Sequence, residues 1–335
     1  MSKKIAINGF GRIGRNFFRT LYGRDDLDID IQYVNDLFHP KFLAYALKYD
    51  TVFGRFPGEV DYKEGALIID GEELPVTAER DPANLPHSDY GVEVALESTG
   101  FFTNRDGASK HLEAGADKVL ISAPASDPDI TVVLGCNDEK LTDDHKIISN
   151  ASCTTNCLGP VVKVLRDNFG IEQGIITTVH SYTSTQSTVD RAKDAKPIKM
   201  TRGRAAAANT IPTSTGAAAA IGLVFPELNG KLDGMALRTQ TPDGSVVDGK
   251  YYLSEAPSIE EINAAMKEAA EGELKGILEY TEDPIVSSDI IGNPASSIVC
   301  GIFTNAIGQL SSVLSWYDNE WGYSNRLADL INDHL

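Results

Sequence analysis

The sequence predicts an α/β protein built in two parts: a doubly wound, mostly parallel sheet, then an α+β part on a mixed, largely antiparallel sheet. Two patterns carry this reading. In the first half, short apolar strands alternate with helical stretches, the order that sandwiches parallel strands between helices. In the second half, several longer strands follow one another, which favours antiparallel neighbours with helices on one face. At 335 residues the chain also exceeds what one hydrophobic core usually covers.

Ile5-Ala6-Ile7 forms a short strand ended by glycines, and a helix follows over 12–22. Ile29, Ile31 and Tyr33 alternate with polar residues, the period of a strand. Segments 92–96, 119–121 and 131–134 read as further strands, with a helix over 105–114. Beyond a break near Asn150, a helix is expected over 153–168 and strands over 175–179, 246–253, 297–303 and 310–317. Ser258 and Glu261 form a capping box that opens a helix reaching about Ala270, and 323–331 is amphipathic. Nothing repeats at a fixed period.

Composition excludes several functions. With 48 acidic against 30 basic residues, the formal net charge of -18 repels phosphate backbones, so no nucleic-acid partner is expected. No apolar stretch reaches the ~20 residues that span a bilayer. The apolar run after the first lysines is too short for a signal peptide, so a cytoplasmic protein without membrane contact is expected. The four cysteines, Cys136, Cys153, Cys157 and Cys300, form no CxxC and fit no zinc spacing, so neither a metal nor a disulfide scaffold is expected.

Asn8-Gly9-Phe10-Gly11-Arg12-Ile13-Gly14 contains GxGxxG between a strand and a helix, the context in which this pattern binds a dinucleotide. Gly9 allows the tight turn, Gly11 lets backbone approach the pyrophosphate, and Gly14 lets helix and strand pack closely. The N–H groups at the helix start then face the phosphates. Asp36 ends the next strand, placed to hydrogen-bond the adenosine ribose and to repel a 2′-phosphate, which points to NAD.

The densest polar cluster is 149–157. Cys153 opens a helix among small hydroxyl residues, where the dipole is expected to lower its thiol pKa and the free N–H groups could bind an oxyanion. Cys136, Cys157 and Cys300 read as small core residues. His39, His87, His111 and His145 fall in polar loop or helical contexts, and His334 is terminal. His180 alone follows a strand, and so is the candidate base for Cys153.

Taken together, the segments 8–15, 152–157, 180–183, 204–207, 212–217 and 316–322 resemble the glyceraldehyde-3-phosphate dehydrogenase family, in family order and across nearly the whole chain. The resemblance implies a Rossmann-type dinucleotide-binding domain over 1–151, joined by a C-terminal helix over 318–335, and a catalytic domain over 152–317. It implies that Cys153 attacks the aldehyde of glyceraldehyde 3-phosphate, that His180 takes the hemithioacetal proton, and that inorganic phosphate releases the acyl group. Thr183 and Arg238 match the substrate-phosphate contacts. Ser152, Thr154, Arg202, Thr215 and Gly216 match contacts to the attacking phosphate and substrate. Arg12 and Ile13 match pyrophosphate contacts, Asp36 the ribose ligand, Arg80 and Ser122 positions around adenine and nicotinamide, and Asn319 the residue that orients the nicotinamide amide. A homotetramer is implied, with the loop 184–209 at a subunit interface.

Two other readings bear on function. Erythrose-4-phosphate dehydrogenase shares the fold, the Cys and the His, but usually carries Glu where Asp36 stands and lacks the Tyr182-Thr183 pair. A second, non-catalytic binding role is the other; the intact Cys153 and His180 count against lost catalysis. On cofactor choice, Asp36-Leu37 matches NAD-specific relatives, whereas Arg191-Ala192 replaces the Leu-Pro that often crowds the 2′ position in them. The expectation is NAD preference with some NADP activity that depends on Arg191.

Overall fold

A computed structural model describes residues 2–335. The chain divides into two compact units: the first holds residues up to Val132, Asp138–Ala151 and Ser324–Leu335, the second Val133–Asn137 and Ser152–Tyr323.

The first unit is built on a nine-stranded sheet. From one edge inward run Ile130–Thr131, Ile147–Ser149, Lys118–Ile121, Val94–Glu97, Lys3–Asn8, Ile29–Asn35 and Glu72–Thr77, all parallel to their neighbours. Ile5, Ile7, Leu96 and Leu120 are fully buried, as expected where helices cover both faces. The register sets Asn8 beside both Asn35 and Glu97, so three polar residues meet at the carboxyl ends of adjacent strands. Helix Arg12–Tyr22 leaves the first strand through the glycine turn. Two antiparallel strands, Val60–Lys63 and Ala66–Ile69, extend the far edge; the first is exposed over 61–63, whereas the second is a short apolar run with Ala66 and Leu67 buried. The strand expected over 131–134 is confined to Ile130–Thr131: Val132 N still donates to Ser149 O at 2.8 Å, but Val133 N turns to Asn137 Oδ1 at 2.9 Å, which ends the pairing.

The second unit carries an eight-stranded mixed sheet. Its order is Ile211–Ser214, Leu232–Thr239, Ile171–Ser181, Ser245–Leu253, Leu310–Tyr317, Ser297–Cys300 and Leu278–Thr281, with Asn305–Ile307 paired to Leu310–Tyr317. Helix Cys153–Phe169 buries Cys157, Leu158, Val161, Val162 and Leu165, and Ser258 opens helix Ile259–Glu271 through the expected capping box. The 297–303 segment is a strand only to Cys300; Gly301–Phe303 forms a 3-10 turn. Leu232–Thr239, not foreseen as a strand, runs parallel to Ile171–Ser181 and sets His180 beside Arg238. No helix of the described residues is long and apolar enough to cross a membrane.

Candidate active site

In the first unit, a cavity of about 580 Å³ lies over the carboxyl ends of the central strands, lined by Gly9, Gly11, Asp36, Arg80, Thr99 and Phe101 among others. Gly9 has φ +96°, and a Cβ there would sit 2.7 Å from Thr99 N, so only glycine fits. A Cβ on Gly14 would lie 2.2 Å from the Gly9 carbonyl, so this glycine lets the helix start close against the turn. Nothing stands within 4 Å of a Cβ built on Gly11, which leaves open space beside the loop. Asp36 accepts from Phe10 N at 2.8 Å and Phe38 N at 3.0 Å, so the ribose candidate also pins the glycine turn. Arg12, expected at the pyrophosphate, pairs with the carboxylate of Asp50 and lies over the Phe53 ring. The Ser122 hydroxyl donates to the Glu97 carbonyl at 3.0 Å, while Arg80 is exposed and Ile13 half-buried. The cavity and the open Gly11 backbone suit a dinucleotide.

His87 and His111, which fall in polar loop or helical contexts in the sequence, are fully buried. They form a relay: Tyr33 OH to His87 Nδ1 at 2.9 Å, His87 Nε2 to His111 Nδ1 at 2.9 Å, and His111 Nε2 to Glu97 Oε2 at 3.1 Å. Asn8 Nδ2 donates to Glu97 Oε2 at 2.6 Å and Asn35 Nδ2 to Asn8 Oδ1 at 2.7 Å. This network ties together the strand ends that carry the cavity.

In the second unit, Ser152 caps helix Cys153–Phe169, its Oγ accepting from Thr155 N at 3.1 Å, and Cys153 follows half-buried. Its Sγ lies 3.5 Å from His180 Nε2. His180 sits inside strand Ile171–Ser181 rather than after it, near the strand's carboxyl end. Its Nδ1 is 2.7 Å from the Ser181 carbonyl, the shorter of its two contacts, and donation to that carbonyl would leave the Nε2 lone pair facing the thiol. Arg238 Nη1 lies 2.9 Å from the same Nδ1 and donates to the Ser181 carbonyl at 3.1 Å.

The expected lowering of the Cys153 thiol is reversed. Burial pushes it up to about 11, although the Arg238 charge and hydrogen bonds from Thr154 oppose the shift. Burial, then Arg238, pushes His180 down to about 3. Burial thus favours the neutral forms of thiol and imidazole alike, against the Arg238 charge and the Thr154 hydrogen bonds at Cys153.

Arg238 is half-buried and its buried Nε has no hydrogen-bond partner in the structure, a donor open to an anion. Arg202 Nε donates to Thr213 Oγ1 at 2.9 Å, and its charge is felt by both His180 and Arg238. Thr183 is half-buried with its hydroxyl 2.8 Å from Thr185 Oγ1; Thr215 Oγ1 accepts from Ala217 N at 3.2 Å, and Gly216 caps helix Ala217–Val224. The Thr154 hydroxyl faces inward, 2.8 Å from Tyr317 OH.

Three residues escaped the sequence reading. Tyr317 OH also meets Thr178 Oγ1 at 2.8 Å, and its ring stands edge-on to His180 with centroids 5.8 Å apart. Ser245 Oγ accepts from Ser181 N at 3.0 Å and donates to Asn319 Oδ1 at 2.5 Å, tying the His180 strand to Asn319. Asp243 is buried beside them. The only sequence signal was their position at strand ends, shared by many residues without chemistry.

Comparison with known proteins agrees with this geometry. Residues 3–105 match the family model described as glyceraldehyde 3-phosphate dehydrogenase, NAD binding domain, and residues 152–319 match the C-terminal domain of the same family. The chain is 53% identical over 336 residues to the glyceraldehyde-3-phosphate dehydrogenase of Mycobacterium leprae (strain TN), covering 99% of this chain and 98% of that one. It is 53% identical over 337 residues to that of Mycolicibacterium smegmatis, covering 99% and 98%, and 53% over 333 residues to that of Priestia megaterium, covering 98% and 97%. With a cleft for a dinucleotide in one unit, a Cys–His pair in the other and relatives matched from end to end, the chain belongs to the glyceraldehyde-3-phosphate dehydrogenase family.

Proposed function

We propose that this chain is an NAD-dependent, phosphorylating glyceraldehyde-3-phosphate dehydrogenase that converts D-glyceraldehyde 3-phosphate and inorganic phosphate to 1,3-bisphosphoglycerate, a glycolytic step. The observation that carries the mechanism is the 3.5 Å approach of Cys153 Sγ to His180 Nε2, with His180 Nδ1 held by the Ser181 carbonyl. Cys153 gives its proton to Nε2 as Sγ bonds to the aldehyde carbon, and the proton passes to the new hydroxyl of the hemithioacetal. His180 then takes that hydroxyl proton as the carbon loses hydride, which leaves a thioester on Cys153. Bound NAD supplies the hydride acceptor. Phosphate oxygen next attacks the thioester carbon, the C–S bond breaks, and the Cys153 thiolate recovers a proton from His180.

Arg238, with its unpaired Nε, and Thr183 hold the substrate phosphate. Arg202, Thr215, Gly216, Ser152 and Thr154 serve the attacking phosphate and substrate; guanidinium donors suit phosphate oxygens. Gly9, Gly11, Gly14, Arg12, Ile13, Asp36, Arg80, Ser122 and Asn319 serve the cofactor, the residues up to 151 forming the dinucleotide-binding domain. Asp36 favours NAD, and exposed Arg191, whose N–H donates to Gly203 O at 2.9 Å, supports residual use of NADP. The enzyme is cytoplasmic and works as a homotetramer. Steady-state reduction of NAD and of NADP, with and without phosphate, with glyceraldehyde 3-phosphate and erythrose 4-phosphate in parallel, tests the reading. Preference for the erythrose substrate, or turnover independent of phosphate, overturns it.

A further inference from the structure

Beneath Cys153 lies a pair of buried carboxyl groups that the mechanism does not use. Asp243 and Asp318 are each 1% exposed and hydrogen-bond each other side chain to side chain. Asp318 already accepts three backbone bonds, and its Oδ2 keeps a lone pair: Oδ1 takes Glu320 N at 2.9 Å and Trp321 N at 2.7 Å, and Oδ2 takes Gly292 N at 2.8 Å. Those bonds hold the turn that leads into helix Trp321–His334 and displays Asn319. Asp243 Oδ1 accepts from Gly244 N at 2.9 Å, whereas Oδ2 meets no donor of the protein.

Two buried carboxyl oxygens can bond each other only if one carries a proton. The charged groups that act most on Asp243 are Asp318 and Glu320, both acidic, Cys153 also interacts with it, and no cluster of described residues is arranged to hold a metal. Asp318, with three backbone donors, keeps the negative charge, so the proton belongs on Asp243 Oδ2.

We propose that Asp243 is a positioning residue, a carboxylic acid kept protonated at neutral pH whose O–H donates to Asp318 and so holds the Asp318–Trp321 turn and the carboxamide of Asn319. The Asn319 side chain is then fixed twice, through its turn by Asp318 and through Oδ1 by Ser245, which leaves its Nδ2 as the group presented to a ligand. Ser245 in turn accepts from Ser181 N, beside the catalytic base, so one hydrogen-bonded chain sets both Asn319 and the His180 strand. Burial, then the charges of Asp318 and Glu320, push the Asp243 carboxyl up to about 9. The sign of its pH dependence follows. The acid–carboxylate bond is intact below about 9; above it Asp243 loses its proton to solvent, two buried negative charges face each other, and the turn is released. Asp243 also acts on Cys153, so its ionisation further opposes thiolate formation.

The inference rests on the assignment of Asn319 to the cofactor, and the test separates the two. Infrared difference spectra of wild type against Asp243→Asn, taken from neutral to alkaline pH, read the protonated carboxyl directly; NAD affinity and KM are measured across the same range. We expect a protonated-carboxyl carbonyl band in wild type at neutral pH that disappears near pH 9 as KM for NAD rises. Asp243→Asn, whose amide donates to Asp318 and accepts from Gly244 without titrating, should lose both the band and the alkaline rise. Asp243→Ala should raise KM for NAD roughly tenfold already at neutral pH, the loss of one hydrogen bond to a charged group. Absence of the band in wild type at neutral pH, or an alkaline rise in KM unchanged in Asp243→Asn, overturns the proposal. Asn319→Ala is the control: an unchanged KM for NAD there removes the assignment of Asn319 itself, whatever the band does.

Discussion

The clearest perturbation of the mechanism is His180→Asn, read by alkylation of Cys153. In the folded chain burial pushes this thiol up to about 11, so at pH 8 only about one thiol in a thousand would ionise by releasing its proton to water. Wild type has another route, because His180 Nε2 waits 3.5 Å away with its lone pair free. The variant removes that acceptor and leaves the burial. Its alkylation rate should therefore climb about one log unit per pH unit through the alkaline range, and at pH 8 fall below wild type. Wild type should show a region of weaker pH dependence. Hydride transfer, measured by single-turnover NADH formation, should drop by about two to four orders of magnitude, the usual worth of a positioned base. Iodoacetamide kinetics against pH supply the test. Superposable profiles for the two proteins would show that the proton never uses Nε2, and the pairing would be wrong.

Cys153→Ser should abolish turnover and leave NAD binding intact, while Cys157→Ser, whose Sγ position contacts the hydroxyls of Ser297 and Ser315, should keep most activity; labelling of Cys157 in place of Cys153 would reverse the assignment. Arg202→Leu should weaken the dependence on inorganic phosphate and Arg238→Leu the handling of substrate, both with little change in NAD affinity. Because the Arg238 charge opposes the rise of the Cys153 thiol, Arg238→Leu should also shift alkylation to higher pH. Acid stability reports on the buried histidines: burial, then His111, push His87 from 6.5 down to about 3, so its contribution is complete above about 6.5 and is lost, by about 1.4 kcal/mol per pH unit, as pH falls toward 3. His87→Gln should flatten that slope in urea melts at pH 7 to 4. Steady-state kinetics with both cofactors on wild type and Arg191→Leu should show NAD preferred and the NADP activity reduced in the variant; a wild type that prefers NADP would contradict the reading of Asp36-Leu37.

Local patterns were legible where local physics decides the outcome. The glycines announced themselves because only they fit: Gly9 by its positive φ, Gly14 by its contact with the Gly9 carbonyl. The helix from Cys153 and the capping box at Ser258 depend on neighbours a few residues away, and both form as expected. The strand over 131–134 failed because burial alone makes an apolar run look like a strand, whereas ladder pairing depends on a distant partner.

The sequence by itself indicated most of the order of elements, the glycine turn, and Cys153 and His180 as two residues that the fold brings within 3.5 Å, because each is marked by its immediate neighbours in the chain. Tertiary structure decided the electrostatics. The Cys153 thiol rises where the helix start alone would lower it, because burial raises it by more than the Arg238 charge and the Thr154 hydrogen bonds lower it. His87 and His111, polar on paper, enter a core relay because Tyr33 and Glu97 supply their partners from other strands. Asp243 and Asp318 stand far apart in the chain, and only the folded sheet brings two carboxyl groups into one dry site, where a single proton must serve both.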